Sequence, residues 1–191
     1  MTDYAPHNQW LVAHEFVDYY FVAHEGMKEQ LIERGVEPNK IYATGIPLSN
    51  RFLLNYDKPK ILQEYNLSPD KKTILFFCGG EYGFGKDKTF NRLKAIIDTF
   101  PNLQVIAGRN EKMKERFDAL VEETNSRNTV KILSYTNQVP ELMSVSDLVI
   151  TKPGGLTTTE SLASGLPLII IDPLPGQEEE NADFIEKSGA G

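Results

Sequence analysis

The residues best suited to chemistry lie in one short stretch, residues 149–160. Its apolar start predicts a buried strand, and residues 157–165 have the spacing of a helix. Gly154 and Gly155 separate the two, so free backbone N–H groups lie at the positive end of the predicted helix. Because glycine has no Cβ, a phosphate can approach this backbone closely. The stretch predicts an anion site, with Glu160 one turn into the helix and within reach of whatever group the anion carries.

A purely structural interpretation of this stretch is equally supported. Thr157 and Glu160 have the spacing of a capping box, in which both side chains bond to backbone N–H groups at the start of a helix. In that case neither residue needs a ligand. The stretch alone leaves both interpretations open, because short motifs match many unrelated proteins.

A second glycine-rich loop covers residues 79–85. It is similar to a dinucleotide fingerprint, but no acidic residue that could hold a ribose follows the next predicted strand, so the support for an NAD site is weak. Gly79 and Gly80 instead favour a second backbone cradle that faces Gly154 and Gly155. A tight turn without a ligand is the alternative.

A third loop, residues 172–177, is stiffened by Pro173 and Pro175. It ends at Gln177, whose amide offers both donors and acceptors and suits the hydroxyl groups of a neutral polar ligand such as a sugar. The acidic residues 178–180 that follow favour the first turn of a helix, where negative charge interacts well with the helix dipole.

Strands and helices alternate regularly from residue 73 to residue 187. This order indicates an α/β protein with a Rossmann-like, doubly wound parallel sheet and right-handed crossovers. In such sheets ligands bind outside the carboxyl ends of the strands, where all three loops emerge. The predicted strands are residues 73–78, 103–107, 129–133, 147–151 and 168–171, and the predicted helices are residues 87–100, 111–124, 139–144, 157–165 and 178–187.

A shorter βαβ unit precedes this region. Its predicted elements are a strand at residues 19–23, a helix at residues 25–34 and a strand at residues 41–44. Residues 53–72 contain two prolines and mixed charge, which indicates a linker with a short helix at residues 61–65.

The composition argues against several classes of function. The 191 residues carry a net charge of −7, whereas a nucleic-acid-binding surface needs a basic stripe. Cys78 is the only cysteine, so no disulfide framework is possible within the chain, and a reducing compartment is favoured. His7, His14 and His24 lack the spacing of metal ligands, and no metal site is predicted.

Six motifs occur in order along the chain: Thr2-Asp3-Tyr4-x-x-His7-x-x-Trp10, Thr44-Gly45-Ile46-Pro47, Gly108-Arg109-Asn110-Glu111, Thr151-Lys152-Pro153-Gly154-Gly155-x-Thr157 with Glu160, Gly165-Leu166-Pro167, and Pro175-Gly176-Gln177-Glu178-x-x-Asn181. Together they resemble the GT-B glycosyltransferases that make glycolipids. The resemblance is greatest to the monogalactosyldiacylglycerol synthases and the processive diacylglycerol glucosyltransferases. The N-acetylglucosaminyl transferase of lipid II synthesis belongs to the wider group.

The resemblance implies two parts of a GT-B enzyme. Residues 73–191 would be its C-terminal, donor-binding domain, residues 1–50 a remnant of its N-terminal, acceptor-side domain, and residues 51–72 the linker between them. The family's early glycine-rich histidine loop and acidic residue, which carry the expected base, have no counterpart here. The resemblance therefore implies a fragment that catalyses no transfer by itself and whose catalytic base lies upstream of residue 1.

For the donor, the resemblance implies a UDP-hexose. No cofactor is predicted, and no Asp-x-Asp motif is present that would require a metal ion. In the lipid II enzyme an arginine between the domains contacts the donor phosphate, but Ser49 occupies that position here and Arg51 lies two residues on. His7 would lie on the acceptor side. The implied donor residues are Gly154, Gly155 and Thr157 for the diphosphate, Glu160 for the ribose, Gln177 for the sugar, and the backbone of Tyr135 and Thr136 for the uracil. Gly79 and Gly80 join them as the second backbone cradle described above.

The implied activity is transfer of a hexose to a lipid acceptor such as diacylglycerol, by direct displacement at the anomeric carbon with UDP as the leaving group. The whole enzyme would be cytoplasmic and peripheral at the inner face of the membrane. A non-catalytic module that binds a nucleotide or nucleotide sugar is the alternative, and an NAD-dependent enzyme has less support.

The front βαβ unit raises a separate question, because two parallel strands and one helix bury little apolar surface. The resemblance implies that its strands close a larger sheet that begins upstream. Cover could come from the sheet of residues 73–191, from a second copy or from neither, and we expect a two-fold dimer through residues 1–50. The residues that need cover are Tyr19, Tyr20, Phe21, Val22, Leu31 and Ile32.

Overall fold

Two parallel sheets form the framework of the chain. A computed structural model describes residues 3–6, 16–77, 86–100, 104–108, 111–126, 129–133 and 136–189. Its smaller sheet pairs β1 (Tyr20–Val22) with β2 (Ile41–Ala43). The strands of the larger sheet are β3 (Thr73–Phe77), β4 (Gln104–Gly108), β5 (Val130–Leu133), β6 (Leu148–Thr151) and β7 (Leu168–Ile170).

The α-helices of the described ranges lie close to their predicted positions. They are α1 (Glu25–Glu33), α2 (Lys58–Glu64), α3 (Lys86–Thr99), α4 (Glu111–Glu123), α5 (Val139–Ser144), α6 (Gly155–Ala163) and α7 (Gln177–Ser188). The largest shift of a helix start is in α2, which begins three residues earlier than predicted. Asp57 caps it by accepting a hydrogen bond from Lys60 N at 3.2 Å, and Pro59 lies in the first turn, where its missing N–H has no helical partner to lose.

The larger sheet has the strand order β5-β4-β3-β6-β7, and every pair in it is parallel. The chain adds β4 and β5 on one side of β3 and then returns to add β6 and β7 on the other side. The predicted doubly wound sheet is therefore confirmed. In folds of this kind, ligands bind where the direction reverses, outside the carboxyl ends of the two central strands.

Two apolar cores cover the two faces of this sheet, because successive strand residues point to opposite sides. Ile74 and Phe76 of β3 lie in the core beneath α3 and α4, whereas Leu75 lies in the core beneath α5 and α7. The first core also contains Leu93, Ile97, Val105, Ala107, Phe117, Leu120, Val121, Val130 and Ile150, and the second Leu67, Ile106, Leu142, Met143, Val149, Leu166, Leu168 and Ile185.

The front unit has a core of its own, built from both of its strands, α1 and the turn that follows. The expectation that Tyr20, Val22 and Leu31 need cover from elsewhere is therefore wrong, since α1 packs over that face of the sheet and buries all three. The buried residues of this core are Tyr20, Val22, Met27, Leu31, Val36 and Ile41.

The other face of the small sheet is open. Phe21 and Tyr42 stack on it with ring centroids 5.7 Å apart, and Tyr19 meets Tyr42 edge-on at 5.9 Å. Tyr19, Phe21 and Tyr42 expose 60%, 54% and 46% of their surface, and Ile32 is exposed as well. Tyr19, Phe21 and Ile32 therefore still have the expected need for cover.

The stretch between the two sheets rests against the larger one. Arg51 forms an ion pair with Glu141 of α5, in which Arg51 Nη2 donates to both carboxylate oxygens, at 2.8 and 3.0 Å. At the end of α2, the Tyr65 hydroxyl donates to Gln138 Oε1 at 2.5 Å. Gln104, buried at the start of β4, binds both backbone groups of one residue: its Oε1 accepts from Ser68 N at 2.6 Å and its Nε2 donates to Ser68 O at 2.8 Å.

We expect Gln104→Ala to lower the free energy of unfolding by about 1–3 kcal/mol, because it leaves the N–H and C=O of Ser68 without their buried partner. Urea denaturation followed by circular dichroism measures this. Gln63→Ala, at an exposed position of α2, is the control and should change stability by less than about 0.5 kcal/mol. Equal stability of the two variants would show that the Gln104 contacts contribute nothing.

Candidate functional site

The loop after β6 leads into α6 without a side-chain cap. Gly154 occupies the N-cap position, and Thr158 N donates the first intrahelical hydrogen bond to Gly154 O at 2.9 Å. The N–H groups of Gly155, Leu156 and Thr157 precede that bond, and an α-helix offers such groups no acceptor. With the helix dipole behind them, they are suited to binding an anion.

The start of α6 contradicts the capping-box interpretation. The helix begins at Gly155, two residues before its predicted start, so Thr157 is the third helical residue rather than the N-cap. A capping box needs its serine or threonine at the N-cap itself. Glu160 is therefore not the acidic partner of such a box, and it lies half-buried on the second turn of α6.

The loop after β7 is held in shape by acidic residues of α7. The carboxylate of Glu178 accepts a hydrogen bond from Leu174 N at 2.7 Å, and that of Glu179 accepts one from Gly176 N at 3.1 Å. Gly176 has φ +91°, a conformation that glycine adopts readily. α7 begins at Gln177, one residue earlier than predicted, and this side chain is exposed at the end of a fixed loop.

Two ion pairs join this loop to its neighbours. Asp172, whose backbone is left-handed at φ +43°, pairs with Arg92 of α3. Lys152, from the loop after β6, lies 3.6 Å from Glu178, and both of these side chains are largely shielded from water. The hydrogen bond from Arg92, together with the positive charges of Arg92, Lys88 and Lys152, holds the pKa of the Asp172 carboxyl below its ordinary value despite partial desolvation.

Five of the predicted donor-binding residues lie at this one edge of the sheet. β6 and β7 are neighbours, so Gly154, Gly155, Thr157 and Glu160 near the start of α6 lie on the strand-end side next to Gln177 at the start of α7. The ion pairs described above connect the two loops directly. The assigned contacts of these residues with a donor stay predictions.

Thr136 follows a different strand, β5. Its hydroxyl accepts a hydrogen bond from Gln138 N at 3.0 Å, next to the hydroxyl of Tyr65. Burial raises the pKa of Tyr65, so its phenol stays protonated and can donate. Four other predicted residues, His7, Gly79, Gly80 and Tyr135, lie outside the described residues.

Asn181 ends one of the six motifs, but the sequence assigns it no role in a site; in the structure it is fully buried behind the loop after β6. Its Nδ2 donates to Pro153 O at 2.9 Å, and its Oδ1 accepts from Tyr4 N at 2.8 Å. One feature of the sequence could have indicated this role. Asn181 lies four residues before Ile185, on the stripe of α7 that is normally apolar because it faces the core. A polar residue in such a stripe indicates specific hydrogen-bond partners.

Neither a metal cluster nor a membrane span occurs in the parts of the chain that the structure describes. Within those ranges, no three His, Cys, Asp or Glu side chains are placed to hold a metal ion. The helices found there lack the length and apolar character that crossing a membrane requires.

Comparison with known families identifies the chain. Residues 75–191, more than half of its length, match the model of the glycosyltransferase family 28 C-terminal domain. The chain belongs to glycosyltransferase family 28. Residues 1–48 match the model of monogalactosyldiacylglycerol (MGDG) synthase. The predicted resemblance to the glycolipid glycosyltransferases is thus confirmed.

Relatives of this family 28 chain include two processive diacylglycerol beta-glucosyltransferases. The Bacillus subtilis protein is 40% identical over 190 residues, and the Staphylococcus epidermidis protein is 40% identical over 194 residues. Each alignment covers 100% of this chain and 48% of the relative. The chain therefore spans about half the length of the curated relatives it matches.

Solved structures confirm the fold of this family 28 chain. MurG of Acinetobacter baumannii superposes with a TM-score of 0.66 at 18% identity, over 99% of this chain and 50% of that one. The UDP-GlcNAc 2-epimerase of Neisseria meningitidis, bound to UDP-GlcNAc, superposes with a TM-score of 0.68 at 14% identity, over 97% of this chain and 59% of that one. At such identities the similarity concerns the fold alone.

We expect Asp172→Asn to lower the free energy of unfolding at neutral pH but not at low pH. Because the pKa of Asp172 is depressed in the folded protein, its contribution is complete above the ordinary carboxyl pKa of about 3.9 and is lost as the pH falls through the folded pKa. Asparagine tolerates left-handed backbone, so this substitution removes the charge without adding strain.

Urea titrations of both proteins between about pH 7 and about pH 2.5 measure this convergence. Asp98→Asn is the control, because it removes an exposed ion pair with Lys94 within α3 and should have a smaller effect throughout. A stability difference that persists unchanged into acid would contradict the assigned role of the Asp172 charge.

Proposed function

We propose that this chain is the donor-binding part of a UDP-sugar-dependent glycosyltransferase that transfers a hexose to a lipid acceptor such as diacylglycerol. The observation that carries the proposal is the glycine-capped start of α6, which lies at the edge where a doubly wound sheet binds ligands. The 40% identity to the Bacillus subtilis glucosyltransferase along the whole chain supports the choice of acceptor.

In the proposed site the donor diphosphate lies at the start of α6. The backbone around Gly154, Gly155 and Thr157 donates hydrogen bonds to it, and Gly79 and Gly80 form a second backbone cradle opposite. Glycine at the N-cap suits this role because it leaves the first-turn N–H groups accessible to oxygen atoms of a ligand.

The rest of the donor takes its place from the diphosphate. Glu160, one turn into α6, accepts hydrogen bonds from the ribose hydroxyls. Gln177, exposed at the end of the fixed loop, binds the hydroxyls of the sugar. The backbone at Tyr135 and Thr136 binds the uracil, and His7 lies on the acceptor side.

The proposed reaction is a direct, inverting displacement at the anomeric carbon. An acceptor oxygen forms a bond to this carbon while the bond to UDP breaks, and the acceptor proton passes to a general base, to which we assign no residue of this chain. The N–H groups and dipole of α6 stabilise the negative charge that develops on the leaving diphosphate. Such stabilisation needs neither a metal ion nor a cofactor.

We further propose that the whole protein is cytoplasmic and works peripherally at the inner face of the membrane, where its lipid acceptor lies.

The alternative to a transferase is a module that binds a nucleotide sugar without transferring it. An assay of the full-length protein with UDP-glucose or UDP-galactose and diacylglycerol vesicles separates the two. A glycolipid product supports the transferase, whereas UDP binding without product supports the module.

We expect Glu160→Ala to weaken UDP binding by about one to two decades, because charge-assisted hydrogen bonds of this kind contribute roughly 1.5–3 kcal/mol. Isothermal titration calorimetry of the two proteins measures the difference. Glu186→Ala, at an exposed position of α7, is the matched control and should bind like the unsubstituted protein. The role of Glu160 is excluded if all three proteins bind UDP equally, and the donor site itself if a folded sample binds none.

We also propose that the open face of the small sheet joins two copies of this chain into a two-fold dimer. The face presents three neighbouring aromatic side chains, Tyr19, Phe21 and Tyr42, and apolar surface of this kind gains from being removed from water. Closed two-fold pairs are the commonest oligomers of soluble proteins.

Light scattering at several concentrations should then give twice the mass of one chain, and the double variant Phe21→Ser with Tyr42→Ser should give the mass of one. Leu53→Ser removes an even more exposed apolar side chain outside the front unit and should leave the mass unchanged. A single-chain mass for the unsubstituted protein over the whole concentration range would rule out the dimer.

A further inference from the structure

Residues 3–6 form a bridge between the front unit and the larger unit. On one side, their carbonyl groups are bound by side chains at the two ends of α1. His24 Nε2 donates to Tyr4 O at 2.8 Å, and Arg34 Nη1 donates to Pro6 O at 2.9 Å. Because His24 Nδ1 accepts the hydrogen bond that caps α1, its Nε2 must carry the proton.

On the other side, the same segment is bound by α6 and α7. The Tyr4 ring stacks on Phe184 with centroids 4.5 Å apart. The Tyr4 hydroxyl lies 2.8 Å from Thr159 Oγ1, which in turn donates to Gly155 O at 2.7 Å. Since Thr159 uses its proton on Gly155, Tyr4 is the donor to Thr159. The segment thus reaches the first residue of α6 through two hydroxyl groups.

Asn181 adds a second and more direct connection. Its side chain is fully buried between the segment and the loop after β6, and it bonds to both at once. Its Oδ1 accepts from Tyr4 N at 2.8 Å, while its Nδ2 donates to Pro153 O at 2.9 Å and lies 3.4 Å from the buried Asp3 Oδ1. A small amide that accepts on one side and donates on the other suits this position better than any charged side chain.

The Pro153 carbonyl is a position where such a bond can orient the loop. Proline has no N–H, so its carbonyl is its only backbone group able to form a hydrogen bond. This carbonyl shares one planar peptide with the N–H of Gly154, the N-cap of α6. Holding the oxygen therefore sets the direction of the backbone just where the candidate anion site begins.

We propose that Asn181 is a positioning residue that joins segment 3–6 to loop 152–155, so that the front unit and the diphosphate cradle move as one body. This rests on the proposed function as far as the ligand is concerned. Asn181 and Tyr4 act through Pro153 and Gly155. They set the affinity for the UDP-sugar without contacting it.

The decisive variant is Asn181→Asp, which keeps the size of the side chain and the acceptor for Tyr4 N but replaces the donor to Pro153 O by a carboxylate. We expect UDP affinity, measured by calorimetry, to fall about tenfold or more. Tyr4→Phe removes only the bond to Thr159 and should lower affinity less, by roughly two- to fivefold. This milder variant tests the same connection between segment 3–6 and loop 152–155 if Asn181→Asp does not fold.

Ile185→Ala is the matched control, since it disturbs the packing of α7 one turn from Asn181 without touching the network. It should melt at a lower temperature yet bind UDP with unchanged affinity. The proposal is overturned if Ile185→Ala weakens UDP binding as much as Asn181→Asp does, because the effect would then be one of general stability. It is also overturned if Asn181→Asp and Tyr4→Phe both bind like the unsubstituted protein.

Amide hydrogen exchange without any ligand tests the connection between segment 3–6 and loop 152–155 independently of the proposed function. Asn181→Asp should speed exchange in residues 3–6 and in residues 152–158 together, and Ile185→Ala should not. Faster exchange in only one of the two segments would show that they are not joined. If the unsubstituted protein binds no UDP, the proposed donor site fails, and the exchange result still decides whether Asn181 couples the two segments.

Discussion

The candidate site depends on the pairing of β3 with β6 in the middle of the larger sheet. Their register places Leu75 beside Val149 in one core and Ile74 and Phe76 beside Leu148 and Ile150 in the other. Because side chains alternate along a strand, a slip of one residue would move every one of them to the wrong face. The register is therefore strongly specified by both cores, and with it the place where the chain leaves β6 and starts α6.

Two helices, α6 and α7, begin side by side at the carboxyl ends of β6 and β7, and their first turns differ in charge. The first turn of α7 carries three acidic residues after Gln177, and two of them already bind backbone N–H groups of the preceding loop. α6 begins with glycine and has Lys152 just before it. Lys152 is paired with Glu178, so the difference between the two helix starts comes from the bare N–H groups of α6 and the remaining acidic residues of α7. This difference favours the proposed placing of an anion at α6 and of a neutral group at Gln177. The acidic run, explained from the sequence as a favourable helix start, therefore also agrees with the proposed placing of the diphosphate at α6 and of the neutral sugar at Gln177.

Most elements could be predicted from the sequence because their apolar periods are regular and their ends carry glycine, proline or acidic residues. The sequence predicts the start of α6 two residues late for a definite reason. Gly155 has a poor intrinsic preference for the helix and follows proline and glycine, so propensity favours a loop there, and Thr157 with Glu160 imitates the usual start signal. The tertiary structure overrides both preferences.

The contacts of Asn181 lay beyond sequence reasoning for a different reason. They join residues that are distant along the chain, and no period or spacing links an asparagine on α7 to a tyrosine before β1. The cover of the front unit is hard to predict on similar grounds. A three-residue strand gives little apolar area by itself, and only the tertiary structure shows that α1 is long enough to bury Tyr20, Val22 and Leu31.

The separation between Tyr4 and Asn181, 177 positions along the chain, also has a consequence for how the molecule comes into being. The entropy lost in closing a loop grows with its length, and contacts between distant residues slow folding. During synthesis, segment 3–6 is made long before α7, so the contacts of Tyr4 with Phe184 and Asn181 can form only when nearly the whole chain is present. The β3–β6 pairing can form earlier, since it needs only the chain up to residue 151. Asn181 binds Pro153 O and Tyr4 N together, so the loop at Pro153 gains this partner only once α7 is in place.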